Sequence, residues 1–262
     1  MVTYLDEILA AHRAAAAADP RDLNALIAAA RTQPPARGFV DALRTAARDE
    51  LAVIAEVKRR SPSKGALAPG LDPADTAVAY ASGGAACLSV LTDEDHFGGS
   101  VDDLQAARAA VTVPVLRKDF TVDPRDVCDA RTMGADAVLL IVAALDDNEL
   151  RTLHELAVEI GLDVLVEVHD EPELERALEV GAAAIGVNQR DLVTFDVDHE
   201  RATRVVAAMP HDVVRIAESG IRGPGDAAAL ADAGYDAILV GESVVTAGDR
   251  AASVAALRHP HG

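Results

Sequence analysis

The stretch Leu51-Ala52-Val53-Ile54-Ala55-Glu56-Val57-Lys58-Arg59-Arg60-Ser61-Pro62-Ser63-Lys64-Gly65 decides how the chain is read. Its first five residues are apolar and rich in branched side chains, the composition of a strand buried on both faces. The run then meets a carboxylate, an ammonium, two guanidiniums and a Ser-Pro-Ser turn. Burying such charges costs free energy unless they are paired or used. Side chains two apart along a strand share a face, so Glu56 and Lys58 are predicted to meet at its C-terminal end.

The same alternation of apolar run, polar turn and Ala-rich helix recurs along the chain. The runs are Leu51–Val57, Ala86–Leu91, Val113–Leu116, Ala137–Val142, Val164–Val168, Ala183–Val187, Val213–Ala217 and Ala237–Val240. Asp72-Pro73 and Asp123-Pro124 each supply a capping carboxylate followed by proline at the first helical position. Gly134, Gly161, Gly181 and Gly234 stand where a helix must turn back to the next strand. Eight strand–helix units predict an α/β fold, a closed (β/α)8 TIM barrel. An open doubly wound sheet is the alternative. Against it, the first turn lacks a Gly-x-Gly-x-x-Gly fingerprint and no acidic residue closes a second strand to hold a ribose.

Ahead of the first strand, Leu5, Ile8 and Leu9 form one helical stripe. Leu23, Leu26 and Ile27 form another after the Asp19-Pro20 break, and Phe39 to Arg48 continues helically. No Pro-, Ser- or Gly-rich linker divides the chain. The reading is one domain over residues 1–262, with residues 1–48 a helical extension capping the barrel mouth.

Half of the residues are apolar and only 3% are aromatic, so the core is built from Ala, Val, Leu and Ile. A net charge of −19 with no basic block argues against nucleic-acid binding. An anionic small molecule would need a local positive pocket, and Lys58, Arg59, Arg60 and Lys64 with Arg117 and Lys118 are candidates. Cys87 and Cys128 lack metal-type spacing and read as buried thiols. No apolar run reaches the roughly 18 residues of a membrane helix, and no secretory leader precedes the first helix, so a soluble cytoplasmic protein is expected.

The residues at the C-terminal ends of the predicted strands are strongly polar: Glu56 and Lys58, Ser89, Lys118, Glu167 with His169, Asn188 with Arg190, and Glu218. That end of a barrel carries the active site. Three of the 24 basic residues are lysine, and two of these close strands. An ammonium, unlike a guanidinium, can give up its proton. Carboxylates facing ammoniums suit proton transfer at a carbonyl or imine, and either lysine also suits a Schiff base. Glu218-Ser219-Gly220 and Gly241-Glu242-Ser243 are small-residue turns, each opening a helix, the second of them the final helix. They are expected to cradle a phosphate through backbone N–H groups. His169 shares a face with Glu167 and is read as a neighbour of the site or a surface residue, and His96 as a loop-structuring residue. No spacing reads as a metal site.

Taken together, IAEVKRRSPSKG (54–65), SVLTDEDHFGGS (89–100), PVLRKDF (114–120), LVEVHD (165–170), GVNQRDL (186–192), AESGI (217–221) and LVGES (239–243) resemble the indole-3-glycerol phosphate synthase family of tryptophan biosynthesis. The match runs from about residue 5 to 257 with the motifs in order. The resemblance implies closure of the pyrrole ring of 1-(2-carboxyphenylamino)-1-deoxyribulose 5-phosphate, with loss of CO2 and water, by a lyase that needs no cofactor or metal. It implies Lys118 as general acid, Glu167 and Glu56 in base and proton-relay work, and Lys58 at the carboxylate and in dehydration. Asn188 and Glu218 would orient the substrate. Ser61, Ser219, Gly220, Gly241, Glu242 and Ser243 would hold phosphate. Pro62, Phe97, Phe120, Leu139 and Leu192 would line the aryl pocket, with Arg190 near the carboxylate. The implied partners are the small phosphorylated substrate and other tryptophan-pathway enzymes, not nucleic acid or membrane. Rival readings are an isomerase of the phosphoribosyl anthranilate type, a Schiff-base aldolase, and a silent phosphate-binding barrel.

Overall fold

A computed structural model describes residues 4–62, 64–190 and 197–258. Its centre is a closed barrel of eight parallel strands. These are β1 (Ala52–Val57), β2 (Cys87–Leu91), β3 (Val115–Lys118), β4 (Ala137–Ile141), β5 (Asp163–Val168), β6 (Ala184–Asn188), β7 (Val214–Glu218) and β8 (Ala237–Val240). Each strand pairs with its sequence neighbours, and β1 closes the ring against β8, with Ala52 opposite Ala237 and Ile54 opposite Leu239. The eight apolar runs of the sequence are these strands. Most begin one or two residues later than the runs do, and β3, β6 and β7 extend to take in Lys118, Asn188 and Glu218.

The strands are buried on both faces, inward by the packed barrel and outward by helices. The capping signals hold. Asp72 accepts from the Asp75 N–H at the start of α4 (Pro73–Ser82). Asp123 forms a reciprocal capping box with Asp126 at the start of α7 (Pro124–Thr132). After α7 the chain reverses at Gly134 (φ 98°), a left-handed conformation that a side chain disfavours. Gly234 (φ 101°) repeats the device. The sequence takes Gly241-Glu242-Ser243 to open the last helix. Instead it opens a four-residue helix, Glu242–Val245, and the last helix, Arg250–Leu257, begins behind an Asp249 cap.

The leader divides between the two ends of the barrel. Helix α1 (Tyr4–Ala18) lies at the C-terminal mouth, where Arg13 pairs with Glu149 and His12 with Asp93. Ile8 is its single buried residue, a contribution on the order of 2 kcal/mol. Helix α2 (Leu23–Arg31) packs on α7. Helix α3 (Phe39–Ala46) stops the opposite, N-terminal end. There the Val40 N–H donates to Asp163 at 2.9 Å, the Arg37 N–H to Asp136 at 2.9 Å, and Phe39 and Leu43 are fully buried. The sequence places residues 1–48 together at the mouth; an apolar stripe shows that a helix is buried but not against which end.

Candidate active site

At the C-terminal mouth, the strand ends and α1 enclose a cavity of about 710 Å³. Two buried charge clusters form its floor. In the first, Glu56 is 4% exposed and accepts from Lys58 Nζ at 2.5 Å through Oε1 and from Ser89 Oγ at 3.2 Å through Oε2. Strand alternation brings Glu56 and Lys58 together as predicted.

In the second, Lys118 Nζ lies 3.0 Å from Glu167 Oε2 and 3.7 Å from Glu218 Oε2. Asn188 Nδ2 donates to Glu167 Oε1 at 3.0 Å. Burial alone would weaken the Lys118 ammonium, but Glu167, Glu218 and Glu56 outweigh it and hold the proton on. Burial would likewise raise the Glu167 carboxyl, yet Lys118, His169 and Asn188 bring it down to about 2. Glu218 goes the other way. Burial, then the charge of Glu167, push its carboxyl well above the carboxylate range. One ammonium thus sits between a carboxyl held low and a carboxyl pushed high, an arrangement that separates acid from base.

A second region of the cavity is lined by Ser61, Ser219, Gly220, Gly241, Glu242 and Ser243. Ser219 (φ 69°) and Gly220 (φ 72°) are both left-handed. Ser243 Oγ donates to the Ile221 carbonyl at 3.0 Å and ties the two turns together. Gln189, buried and given no role by the sequence, donates through Nε2 to the Ser219 carbonyl at 3.0 Å and fixes the first turn from below. Lys64 crosses from the β1 loop to Glu242 at 2.6 Å.

A third region is apolar. Pro62, Phe97, Phe120 and Leu139 line it with Tyr4, Leu5 and Ile8 of α1, and the Phe97 and Phe120 rings lie 6.3 Å apart. Arg190 also lines the cavity. Leu192 lies outside the described residues.

The positive pocket is narrower than the sequence suggests. All three lysines line the cavity, but Arg59 pairs with Asp103 at 2.8 Å and Arg117 with Asp119 at 2.9 Å. Arg117 precedes Lys118 on β3 and so points to the opposite face. Arg60 stands exposed on the rim.

Sequence spacing also misses a cluster formed by His12, Asp93 and Asp119, whose ligand-type atoms lie within 4.8 Å of one another. His12 Nε2 lies 3.2 Å from Asp93 Oδ2, and His96 Nδ1 lies 3.0 Å from the same oxygen. His96 thus has the loop-structuring place expected of it, and Asp93 joins α1 to the loop after β2. Cys87 and Cys128 are buried thiols. Among the described residues no helix is long and apolar enough to cross a membrane.

Fold and site together define a barrel enzyme with paired acid–base groups between an apolar region and a cradle of small residues. The family model for indole-3-glycerol phosphate synthase matches residues 5–257. Proteins bearing that name from Mycobacterium avium (strain 104) and Mycobacterium tuberculosis (strain ATCC 25177 / H37Ra) are each 51% identical over 257 residues, covering 97% of this chain and 93% of theirs. Among solved structures, a thiamine phosphate pyrophosphorylase from Pyrococcus furiosus superposes with a TM-score of 0.60 at 19% identity, over 79% of this chain and 93% of that one. An N-acetylmannosamine-6-phosphate 2-epimerase from Clostridium perfringens gives 0.59 at 15%, over 73% and 86%. These two likenesses speak to the barrel alone. The chain belongs to the indole-3-glycerol phosphate synthase family, carboxy-lyases of tryptophan biosynthesis.

Proposed function

We propose that the cavity folds 1-(2-carboxyphenylamino)-1-deoxyribulose 5-phosphate around Lys118 and closes its pyrrole ring. The observation that carries the reading is the Lys118 ammonium held between Glu167 and Glu218 on the cavity floor. The aryl ring would lie among Pro62, Phe97, Phe120 and Leu139, with its carboxylate toward Lys58 and Arg190. The phosphate would lie on Ser61 and the turns Ser219-Gly220 and Gly241-Glu242-Ser243, where backbone N–H groups at turns suit a dianion. Anchoring both ends brings the ring carbon that bears the carboxylate against the ketone carbon.

As the new carbon–carbon bond forms, Lys118 donates its proton to the carbonyl oxygen, which becomes a hydroxyl. The carbon–carboxylate bond then breaks, CO2 leaves, and its electron pair restores the aromatic ring. The hydroxyl departs as water after receiving a proton from Lys58. The carbon next to nitrogen gives up one proton as the pyrrole carbon–carbon double bond forms; Glu167 takes that proton, Glu56 relays it, and Asn188 and Glu218 orient the substrate. Partner and place follow from the same reading: a small phosphorylated substrate, another tryptophan-pathway enzyme to receive the product, and the cytoplasm.

Turnover is read by indole fluorescence, against a low background because the chain contains no Trp. Emission that rises on adding the substrate alone supports the proposal. Bound substrate that produces no emission overturns it.

A further inference from the structure

The sequence leaves His169 as a neighbour of the site, and its surroundings give it more to do. Its ring is clamped on one side, where Nδ1 lies 3.0 Å from Glu173 Oε2 and the same oxygen accepts the His169 backbone N–H at 2.7 Å. A carboxylate at Nδ1 fixes the orientation of an imidazole and assigns a proton to that nitrogen. The other nitrogen, Nε2, is buried with no hydrogen-bond partner and stands 3.9 Å from Glu167 Oε1. That oxygen already receives Asn188, while Oε2 receives Lys118. A buried ring nitrogen without a partner carries a desolvation cost that a purely structural histidine would avoid by turning to an acceptor.

We propose that His169 is a positioning residue for Glu167: Glu173 holds the ring so that a protonated Nε2 faces Oε1, giving the Glu167 carboxylate a second cation opposite Lys118. The inference rests on the reading of Glu167 as the base that takes the proton as the pyrrole double bond forms. The groups facing His169 are Glu167 from β5, Glu173 from helix Glu171–Glu179, and the cation Arg201 from helix His199–Val206. Burial and Arg201 oppose the imidazolium; the two carboxylates outweigh them. The cation is therefore present below the raised titration point and is lost as pH climbs through it. As it is lost, Glu167 keeps Lys118 but loses the fixed charge at Oε1, so turnover should decline with rising pH while substrate binding, which uses other groups, holds.

Two variants separate this from packing. In His169→Asn the amide nitrogen can keep the bond to Glu173 but nothing reaches the Nε2 position. In His169→Gln the amide nitrogen can reach the Nε2 position. The expected result for His169→Asn is a kcat about tenfold lower, a KM within about twofold, and loss of the alkaline decline expected of the parent enzyme. His169→Gln should recover part of kcat. Wild-type kcat and pH profile in His169→Asn, or a change in KM alone, would overturn the proposal. A second readout needs no substrate. In the ¹⁵N spectrum of the resting enzyme, the His169 ring should titrate above the ordinary 6.5 of a free imidazole, and Glu167→Gln should lower the midpoint. A midpoint at or below 6.5, or one that Glu167→Gln leaves in place, would also overturn it. If the parent enzyme fails to turn over the substrate while this coupling is present, the assigned reaction falls and the link between His169 and Glu167 stands.

Discussion

A Cβ placed on Gly186 of β6 would stand 1.9 Å from Oε1 of Glu218, the carboxyl that closes the neighbouring strand β7. The absence of a side chain at Gly186 is what leaves room for the Glu218 carboxyl beside Lys118. Oε1 of Glu218 is itself buried without a hydrogen-bond partner, so it occupies this gap because the gap is there. Gly186→Ala should displace Glu218 and, through it, the carboxyl–ammonium spacing. Turnover should fall by about 10²-fold, with a stability loss of about 1–3 kcal/mol from overpacking. Steady-state kinetics and urea unfolding measure both, and activity within twofold of the parent would contradict the argument.

Lys118→Met removes the ammonium but keeps the volume. The expected loss in kcat is about 10²- to 10⁴-fold, with a cooperative unfolding transition retained. The same variant tests the electrostatics. Glu167 titrates at about 2 against an ordinary 4.5, so it contributes stability that is fully present above 4.5 and is lost as pH falls through 2. In Lys118→Met that contribution should shrink, and acid unfolding should begin at a higher pH. Coincident acid-unfolding curves for the two proteins would show that Lys118 does not set the Glu167 titration.

The link between α1 and the barrel is pH-dependent with the opposite sign. The hydrogen bond to Asp93 raises His12 above its ordinary 6.5, burial opposes it, and Asp119, Asp93 and Asp126 add to the rise. Asp93, which burial would raise, is held well below the usual range by His12 and His96. A raised histidine contributes stability that is full below 6.5 and is lost as pH rises through its folded value. Amide protection in α1, corrected for intrinsic exchange, should therefore fall a few-fold between about pH 6 and about pH 9. His12→Gln should flatten that dependence. Unchanged protection across the range in the parent protein would exclude the latch.

Ser219 carries a left-handed backbone without being glycine. Such a conformation costs about 1–3 kcal/mol, while glycine in its place restores about 0.5–1 kcal/mol of unfolded-state entropy. Ser219→Gly should therefore be neutral or stabilising by about 1 kcal/mol. Ser219→Val, branched at Cβ, should be destabilising by at least about 2 kcal/mol. Urea midpoints that drop equally in both variants would mean that the serine side chain, not its backbone, holds the turn.

The barrel was legible because its strands are buried on both faces and so leave apolar runs, and because Asp-Pro caps and returning glycines mark the helices between them. Glu56, Lys58, Lys118, Glu167, Asn188 and Glu218 were legible because each ends a strand at the same mouth. Arg117 looks like a pocket residue by composition, although strand alternation puts it opposite Lys118, a constraint the sequence already contains. The contact between His12 and Asp93 spans 81 residues and has no local signature. Gln189 was missed because a buried amide that fixes a turn on the next strand looks, in sequence, like any polar residue after a strand.

Helix α3 bears on how the chain reaches this state. Asp163 accepts from the Val40 N–H in its first turn and Asp136 from the Arg37 N–H just ahead of it, and the Val40–Asp163 bond spans 123 residues. During synthesis α3 is made before its acceptors, which exist only once β4 and β5 have been added. The N-terminal end of the barrel is thus closed by a helix and two strands made well after it. A contact of such long sequence separation is entropically slow to form, and the apolar side of Phe39 and Leu43 stays uncovered until then. Until α3 docks, that exposed apolar surface favours aggregation of the nascent chain.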